Sequence, residues 1–285
     1  MERFFLRPRY PPRLMLQIQD PAATGRASRR AYRAMLRTIV AHELIRGGDR
    51  ILVAVSGGKD SYTLLDFLWR ARARAPVRFD VVALHVDQGQ PGYDGAPLRD
   101  WLERLGAPFE IVREDTYSVV MRTAEDDPEA AYCRVCSRLR RGILYTAAER
   151  LGCNKLALGH HRDDTIETLL LNQLYAGRLQ AMPAAYVTND GRFTVIRPLI
   201  ECAEADLATH ASAAGYPILP CRLCGSQPDL KRGRVRALLR ELEREIPDVR
   251  AVLLAAIQNV RPSHLLDREV ATAWSAHAHE FEPRR

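Results

Sequence analysis

The sequence has no apolar segment long enough to cross a membrane. A spanning helix needs about 18 or more consecutive apolar residues, and no stretch of this chain approaches that length. The segment Met1 to Arg13 mixes Arg, Pro and Phe and has no continuous apolar core of the kind found in secretion signals. We therefore expect a soluble protein of the cytoplasm with no membrane partner.

Cysteine is scarce as well, with six residues in a chain of 285. This number is too small for a secreted scaffold held together by disulfides. Four of the six form two Cys-x-x-Cys pairs, which in a cytosolic chain favour metal or redox chemistry. Spacing alone leaves a zinc site, an iron–sulfur site and redox-active or unliganded cysteines open. The pairs are Cys133 with Cys136 and Cys221 with Cys224, and the two remaining cysteines, expected in the core, are Cys153 and Cys202.

Acidic residues are outnumbered by basic ones, and the formal net charge is +7. Arginine supplies most of the positive charge, which suits bidentate contacts with phosphate groups. A nucleic-acid partner fits this balance, and so does an ordinary basic surface. The charge alone therefore decides nothing about the partner.

Strand-like and helix-like patterns alternate along the chain. Arg50 to Val55 is an apolar, β-branched run of strand length, typical of a strand buried on both faces. We expect α/β architecture, a Rossmann-like parallel sheet with helices on both faces, and an irregular stretch between Val112 and Ser137. The other predicted strands are Phe79–Val86, Phe109–Val112, Lys155–Leu158 and Phe193–Leu199, and the predicted helices include Ser61–Arg74, Leu98–Leu105, Ser137–Arg150, Asp163–Tyr175, Ala203–Ala214 and Asp229–Glu245.

The composition divides the chain into three segments. Residues 1–30 are polar and basic and are predicted to form a mobile arm. Residues 31–200 carry the alternating pattern and are predicted to bind a nucleotide. Residues 201–285 are predicted to be a mostly helical extension that contains the second cysteine pair.

A glycine-rich turn follows the first strand: Ser56, Gly57, Gly58, Lys59, Asp60 and Ser61. Its strand–turn–helix context directs backbone N–H groups and a helix N-terminus at one point, which is a geometry that binds anions. The turn is neither a Walker loop nor a Gly-x-Gly-x-x-Gly dinucleotide loop. The turn also resembles the nucleophile elbow Gly-x-Ser-x-Gly of hydrolases. Such an elbow has no obvious use for the charged Lys-Asp pair that follows in this turn.

A second polar cluster begins at Gly159 and His160 and reaches Asp163 and Asp164. It lies at a strand-to-helix junction and should meet the same edge of the sheet as the glycine-rich turn, where Asp87 also ends a strand. The two carboxylates are candidates for metal binding. Helix capping is the alternative for either aspartate taken alone.

Several long motifs occur in a fixed order and together resemble the tRNA 2-thiocytidine synthetase family, the TtcA proteins, within the N-type ATP pyrophosphatase (PP-loop) superfamily. The resemblance covers roughly residues 30 to 268. Its motifs, besides the glycine-rich turn, are Tyr-Cys-Arg-Val-Cys-Ser-Arg-Leu-Arg-Arg-Gly-Ile-Leu-Tyr from Tyr132, Leu-Gly-His-His-Arg-Asp-Asp from Leu158, Pro-Cys-Arg-Leu-Cys-Gly-Ser-Gln from Pro220 and Gln-Asn-Val-Arg-Pro-Ser-His-Leu from Gln258.

The resemblance implies a PP-loop fold, ATP and Mg²⁺, and a [4Fe-4S] cluster held by Cys133, Cys136 and Cys221, with one iron left to carry sulfur. Cys224 is then a neighbour of the cluster or a persulfide carrier. Asp60 is implied to help place Mg²⁺. The implied sets are Asp60, Asp163 and Cys224 for catalysis, and Ser56, Gly57, Gly58, Lys59, Asp60, Ser61, Asp87, Gly159 and His160 for the nucleotide.

The implied reaction is ATP-dependent thiolation of a tRNA anticodon-loop cytidine, at position 32 of the tRNA. Adenylation turns the C2 oxygen of the base into a leaving group, and sulfur displaces it. The implied partners are tRNA and a sulfur donor such as a cysteine desulfurase, and a homodimer is left open. Arginine-rich segments, Arg138–Arg141 and Lys231–Arg236, are candidates for gripping tRNA phosphates, with a solvated helix face as the alternative.

Two other functions stay open. One is a PP-loop thiolase or ligase that acts on another tRNA base. The other is a non-catalytic RNA-binding protein stapled by zinc, which should be colourless and should not turn over ATP.

Overall fold

The computed structural model describes residues 25–126, 132–219 and 230–277. The first helix, α1 (Arg26–Ala41), buries an apolar face that includes Met35, Leu36 and Ile39. Residues 26–30, predicted to belong to the basic arm, are therefore helical. Residues 1–24 of that arm and two predicted site residues, Cys221 and Cys224, lie outside the described residues.

The described strands form one six-stranded sheet in the order β3-β2-β1-β4-β6-β5. All neighbouring pairs are parallel except β5 with β6, which is antiparallel at one edge. The predicted parallel sheet is confirmed. The strands are β1 (Arg50–Ala54), β2 (Asp80–Asp87), β3 (Phe109–Arg113), β4 (Lys155–Ala157), β5 (Ala185–Val187) and β6 (Thr194–Ile196).

Helices connect these strands and continue beyond them. They are α2 (Lys59–Arg72), α3 (Ala96–Leu105), α4 (Thr116–Asp126), α5 (Tyr132–Arg150), α6 (Arg162–Ala176), α7 (Glu204–Ala214), α8 (Leu230–Glu245), α9 (Val249–Gln258) and α10 (Arg268–His277), with a short 3₁₀ turn at Pro262–His264. The irregular stretch predicted between Val112 and Ser137 is wrong, because α4 and the first turn of α5 occupy much of it.

The sheet is covered on both faces because alternate side chains of each strand point in opposite directions. Ile51 and Val53 of β1 belong to the larger core cluster, which includes residues of α1, α2, α3 and α7. Leu52, between them, belongs to a second cluster with Leu144 and Ala148 of α5. The carboxyl ends of the central parallel strands thus open at one edge between two helical layers, which is where such folds bind ligands.

The chain divides into two compact units within α8, at Ala237 and Leu238. The compact unit that carries the sheet therefore extends past residue 200, where the sequence placed a domain boundary. That boundary between a nucleotide-binding segment and a C-terminal segment stays a prediction. In the second unit, the end of α8 is joined to α9 by an ion pair between Glu243 and Arg250 (3.2 Å). No helix among residues 25–126, 132–219 and 230–277 is long and apolar enough to cross a membrane.

Candidate active site

The glycine-rich turn lies between β1 and α2 and is held by its own hydroxyl groups. Ser61 Oγ donates a hydrogen bond to the carbonyl of Gly58 (2.8 Å) and accepts one from the backbone N–H of Ser56 (3.1 Å). Gly58 is the N-cap of α2, and no side chain in the described part of the protein caps this helix. The first N–H groups of α2 and the positive end of its dipole are thus available to an anion.

Lys59 lies between two carboxylates. Its Nζ donates to Asp60 Oδ2 (2.9 Å) and to Glu204 Oε1 (3.1 Å). Although burial lowers the pKa of Lys59, these two carboxylates raise it on balance. Glu204 opens α7 and was not predicted from the sequence, because a single acid at a helix start has an ordinary structural reading.

Asp60 has one carboxylate oxygen with no hydrogen-bond partner. Oδ2 accepts from Lys59, whereas Oδ1 is buried and has none among the described residues. A buried carboxylate oxygen beside a phosphate-type loop suits a hard cation such as Mg²⁺. This observation fits the predicted role of Asp60. No group of three or more potential metal ligands was found in the part of the chain that the structure describes.

Gly159 packs directly against the glycine-rich turn. A Cβ at this position would lie 3.1 Å from the carbonyl carbon of Asp60 and from the backbone nitrogen of Ser61. The absence of a side chain at Gly159 therefore lets the segment after β4 approach the backbone of the turn closely.

The two aspartates of the second cluster have structural partners. Asp163 is 3% exposed, and its Oδ2 accepts the backbone N–H of Glu204 (2.9 Å) at the start of α7. Asp164 Oδ2 accepts the backbone N–H of His161 (3.1 Å), the N-cap residue of α6. Both carboxylates thus cap helices, as the structural alternative proposed. A catalytic role for Asp163 stays a prediction.

Asp87 ends β2 but does not line the cavity beside the turn. Its Oδ1 accepts the backbone N–H of Gly89 (3.0 Å), and its Oδ2 lies 3.9 Å from Arg113 Nε. Gln88 and Gln90 line the cavity instead. Binding of nucleotide by Asp87 therefore stays a prediction without a supporting contact.

A cavity of about 650 Å³ opens at this edge of the sheet. It is bounded by the glycine-rich turn, the ends of β2 and β4, the start of α5 and the segment before the second cysteine pair. Its polar and charged lining residues are Ser56, Asp60, Ser61, His85, Gln88, Gln90, Tyr93, Ser137, Arg140, Arg141, His160, Tyr186 and Arg197. The cavity therefore brings together residues far apart in the sequence.

His85 and Tyr93 form one wall and were not predicted as site residues. His85 Nδ1 lies 2.7 Å from the carbonyl of Val55, and its Nε2 lies 2.5 Å from the hydroxyl of Tyr93. Because a carbonyl only accepts, Nδ1 carries the proton and Nε2 accepts from Tyr93. Burial lowers the pKa of His85 and raises that of Tyr93 to about 12, so both groups are neutral near pH 7.

Of the four paired cysteines, Cys136 is the one whose side chain is described. It is 4% exposed and its thiol donates to Gln88 Oε1 (3.1 Å), at the margin of the cavity. Cys133 lies three residues earlier, in the first turn of α5. On the other side, the backbone N–H of Leu219 donates to the carbonyl of Gly57 (2.9 Å). Leu219 precedes Cys221 by two residues, so both cysteine segments join the described fold beside the cavity.

The two arginine-rich segments differ in their contacts. Arg138 and Arg141 are exposed, and Arg140 and Arg141 line the cavity. In α8, by contrast, Arg236 Nε donates to Glu167 Oε1 (2.7 Å) and Arg232 approaches the same carboxylate (3.4 Å). Arg140 and Arg141 are thus better placed to bind a phosphate ligand in the cavity than Arg232 and Arg236, which are paired with Glu167.

Known proteins resemble this chain in sequence over most of its length. A family model described as a PP-loop domain matches residues 28–237. A tRNA-cytidine(32) 2-sulfurtransferase of Anaeromyxobacter dehalogenans (strain 2CP-C) is 54% identical over 245 residues, 86% of this chain and 84% of that protein. Proteins of the same name from Sorangium cellulosum (strain So ce56) and Aeromonas salmonicida (strain A449) are 53% and 45% identical, over 84% and 90% of this chain and 84% of each relative.

A solved structure resembles the fold. It is described as the U34-tRNA thiolase NcsA from Methanococcus maripaludis with its [4Fe-4S] cluster, and it matches with a TM-score of 0.65 at 18% identity. The match covers 86% of this chain and 84% of that one. At this identity the similarity shows a shared fold.

Proposed function

Because the chain belongs to the tRNA-cytidine(32) 2-sulfurtransferase family and contains its PP-loop domain, we propose that it replaces the C2 oxygen of cytidine 32 in tRNA with sulfur at the expense of ATP. The chain is thus an enzyme of the tRNA sulfurtransferase class. The base oxygen attacks the α-phosphorus of ATP, pyrophosphate leaves, and sulfur then displaces AMP. With tRNA as substrate, the expected place of the reaction is the cytoplasm.

One observation carries the proposal: a single cavity is bounded both by the glycine-rich turn Ser56–Ser61, which we call the phosphate loop, and by the ends of the segments that bear the paired cysteines. Ser56, Asp60 and Ser61 line it on one side, and Ser137 and Arg140, just after Cys136, line it on another. Leu219 closes it from the segment that precedes Cys221. Activation of a base and delivery of sulfur both require such a shared space.

The phosphate loop supplies the activating half of the reaction. The uncapped start of α2 and the Lys59 ammonium stabilise negative charge on the leaving pyrophosphate. Asp60 Oδ1, which is buried and has no partner in the described structure, would hold Mg²⁺ on the same phosphates. The chain thereby contributes positioning and charge stabilisation, which are the main protein contributions to phosphoryl and nucleotidyl transfer.

The cysteines would supply the second half of the reaction. Cys136, with Cys133 on the same helix and Cys221 from the second pair, would hold a [4Fe-4S] cluster, and that cluster would supply the sulfur. The thiol of Cys136 is buried at the margin of the cavity, and thiolates are the donors that iron–sulfur clusters take. The two roles left open for Cys224 are a neighbour of the cluster and a persulfide carrier.

Anaerobic purification followed by metal analysis and a tRNA assay tests the proposal. We expect a brown protein that contains iron, releases AMP when tRNA is added and forms 2-thiocytidine, identified by mass spectrometry of the tRNA nucleosides. Formation of 2-thiouridine would assign the chain to another base. Stoichiometric zinc without iron, together with no AMP release, would identify a zinc-stapled RNA-binding protein.

A further inference from the structure

Arg197 is a buried cation in the wall of the cavity. It directly follows β6 and is 8% exposed. Its Nη1 donates to the carbonyl of Pro183 (2.8 Å), and its guanidinium carbon lies 5.2 Å from the centre of the Tyr186 ring. Among the described residues no carboxylate forms an ion pair with it. A guanidinium does not lose its proton in proteins, so a full positive charge is kept in this wall.

The nearby Arg192 shows the contrast. Arg192 is exposed on the turn between β5 and β6, and it pairs with Asp190 (2.8 Å) and Glu149 (2.9 Å). The fold therefore gives two carboxylates to an exposed arginine, where an ion pair contributes little. Among the described residues it gives none to the buried Arg197, where an uncompensated charge is costly. This distribution suggests that the compensating anion of Arg197 comes from a ligand.

Arg197 also fixes the neighbouring histidine. Its Nε–H donates to His160 Nδ1 (3.3 Å). Because a guanidinium has no acceptor, His160 Nδ1 must be unprotonated and its proton must reside on Nε2. Burial, followed by the charge of Arg197, lowers the pKa of His160 to about 4, so the ring is neutral near pH 7. Nε2–H has no partner among the described residues, and His160 lines the cavity.

We propose that Arg197 and His160 form an oxyanion subsite, in which the guanidinium and the Nε2–H of His160 bind a phosphate oxygen of the nucleotide or of the tRNA backbone. Arg197 has a second role as the residue that holds His160 in the donating tautomer. The subsite shares its cavity with Ser56 and Ser61, so a ligand anchored at the phosphate loop can reach it. This inference rests on the proposed function, because ATP and tRNA are the ligands that would supply the phosphate.

Binding measurements on the anaerobically purified full chain separate the two sources. MgATP and an anticodon stem-loop RNA are titrated separately into the wild type, Arg197→Met, Arg197→Lys and the control Arg192→Met. Loss of a charge-assisted hydrogen bond should weaken one ligand by about 10- to 100-fold in Arg197→Met, with partial recovery in Arg197→Lys. Arg192→Met should stay within about twofold, since its charge is exposed and paired. The weakened ligand identifies the phosphate source.

The tautomer of His160 provides a test that needs no stable variant at Arg197. In ¹⁵N-histidine-labelled wild type, with the signal assigned through His160→Gln, we expect the Nε2–H tautomer and a shift on addition of MgATP or RNA. An Nδ1–H tautomer, or a signal that neither ligand moves, overturns the proposal. His160→Phe should weaken binding more than His160→Gln, whose amide can replace the Nε2–H donor.

Failure of the inference is distinguishable from failure of the proposed function. If the wild type binds neither MgATP nor RNA, the proposed function itself is wrong. If the wild type binds both, and neither Arg197→Met nor the histidine signal responds, only the subsite is wrong.

Discussion

The backbone N–H of Leu219 donates a 2.9 Å hydrogen bond to the carbonyl of Gly57. Gly57 has φ +85°, and a Cβ there would lie 2.9 Å from Cβ of Leu219. The phosphate loop and the segment that leads to the second cysteine pair are thus in direct contact. Two further bonds tie this segment to α2: Tyr62 donates to the carbonyl of Pro217 (2.9 Å), and Tyr216 donates to Asp66 (2.8 Å).

The first prediction concerns Gly57→Ala. The left-handed backbone costs a residue with a Cβ about 1 kcal/mol, and the clash with Leu219 must move either the loop or the cysteine segment. We expect weaker MgATP binding and altered cluster spectra, measured by calorimetry and by absorption. Gly191→Ala is the matched control, because Gly191 has φ +72° with open space around it. Equal effects of both substitutions on ATP binding would show that the contact with Leu219 does not contribute to ATP binding.

The second prediction concerns Asp60→Asn. This change keeps the shape of the side chain but removes the charge that would hold Mg²⁺, so tRNA-stimulated AMP release should fall by about 100-fold or more. Iron content should not change. Glu204→Gln is the control, since Glu204 is the other carboxylate bonded to Lys59. If the two variants lose activity equally, the effect comes from Lys59 rather than from a metal at Asp60.

These residues also show how far the sequence alone leads. The phosphate loop and the parallel strands were predictable because their signals are local: an apolar run, two glycines and a helix start within a few residues. Glu204 and Arg197 could not be predicted, because each is a single charged residue without a local sequence motif. Only the folded chain brings them to the site. Helix α4 was missed because its β-branched residues lower helix propensity. The N-cap bond from Ser118 N–H to Asp115 (3.0 Å) was the available signal.

The third prediction concerns Glu167→Gln. Glu167 is 3% exposed and accepts hydrogen bonds from Arg232 and Arg236. Loss of its charge should lower the free energy of unfolding by about 1–2 kcal/mol, less than for a fully buried pair because the arginines are partly exposed. Urea unfolding measures the change. Glu243→Gln removes an exposed partner of Arg250 and should cost less than about 1 kcal/mol. If both variants lose a similar free energy of unfolding, the ion pairs between Glu167 and α8 contribute little to stability.

The fourth prediction concerns acid sensitivity. The folded protein lowers the pKa of His160 from 6.5 to about 4, so between these values the unfolded chain binds more protons than the native one. Stability from this group is therefore present above pH 6.5 and is lost as the pH falls towards 4. His85 acts in the same direction. The ionisable groups that act on the pKa of His160 are Arg197, Asp164, His161 and Arg232.

His160→Gln tests this linkage. The wild type should lose more stability than the variant between about pH 7 and about pH 5, as followed by urea unfolding at each pH. The variant should keep the part of the slope that belongs to His85. If the wild type and the variant have the same slope, His160 is not held neutral in the native state.

The fifth prediction concerns the paired cysteines. Cys136→Ser should abolish iron binding and brown colour, because the replaced thiol is one of three proposed ligands. Cys153→Ser is the matched control: Cys153 is also buried, burial raises the pKa of its thiol, and it contacts the carbonyl of Leu151 (3.9 Å). A thiol held protonated in this way is a poor metal ligand. Anaerobic iron analysis should therefore find iron in Cys153→Ser and none in Cys136→Ser. Full iron occupancy in Cys136→Ser would show that Cys136 is not a ligand.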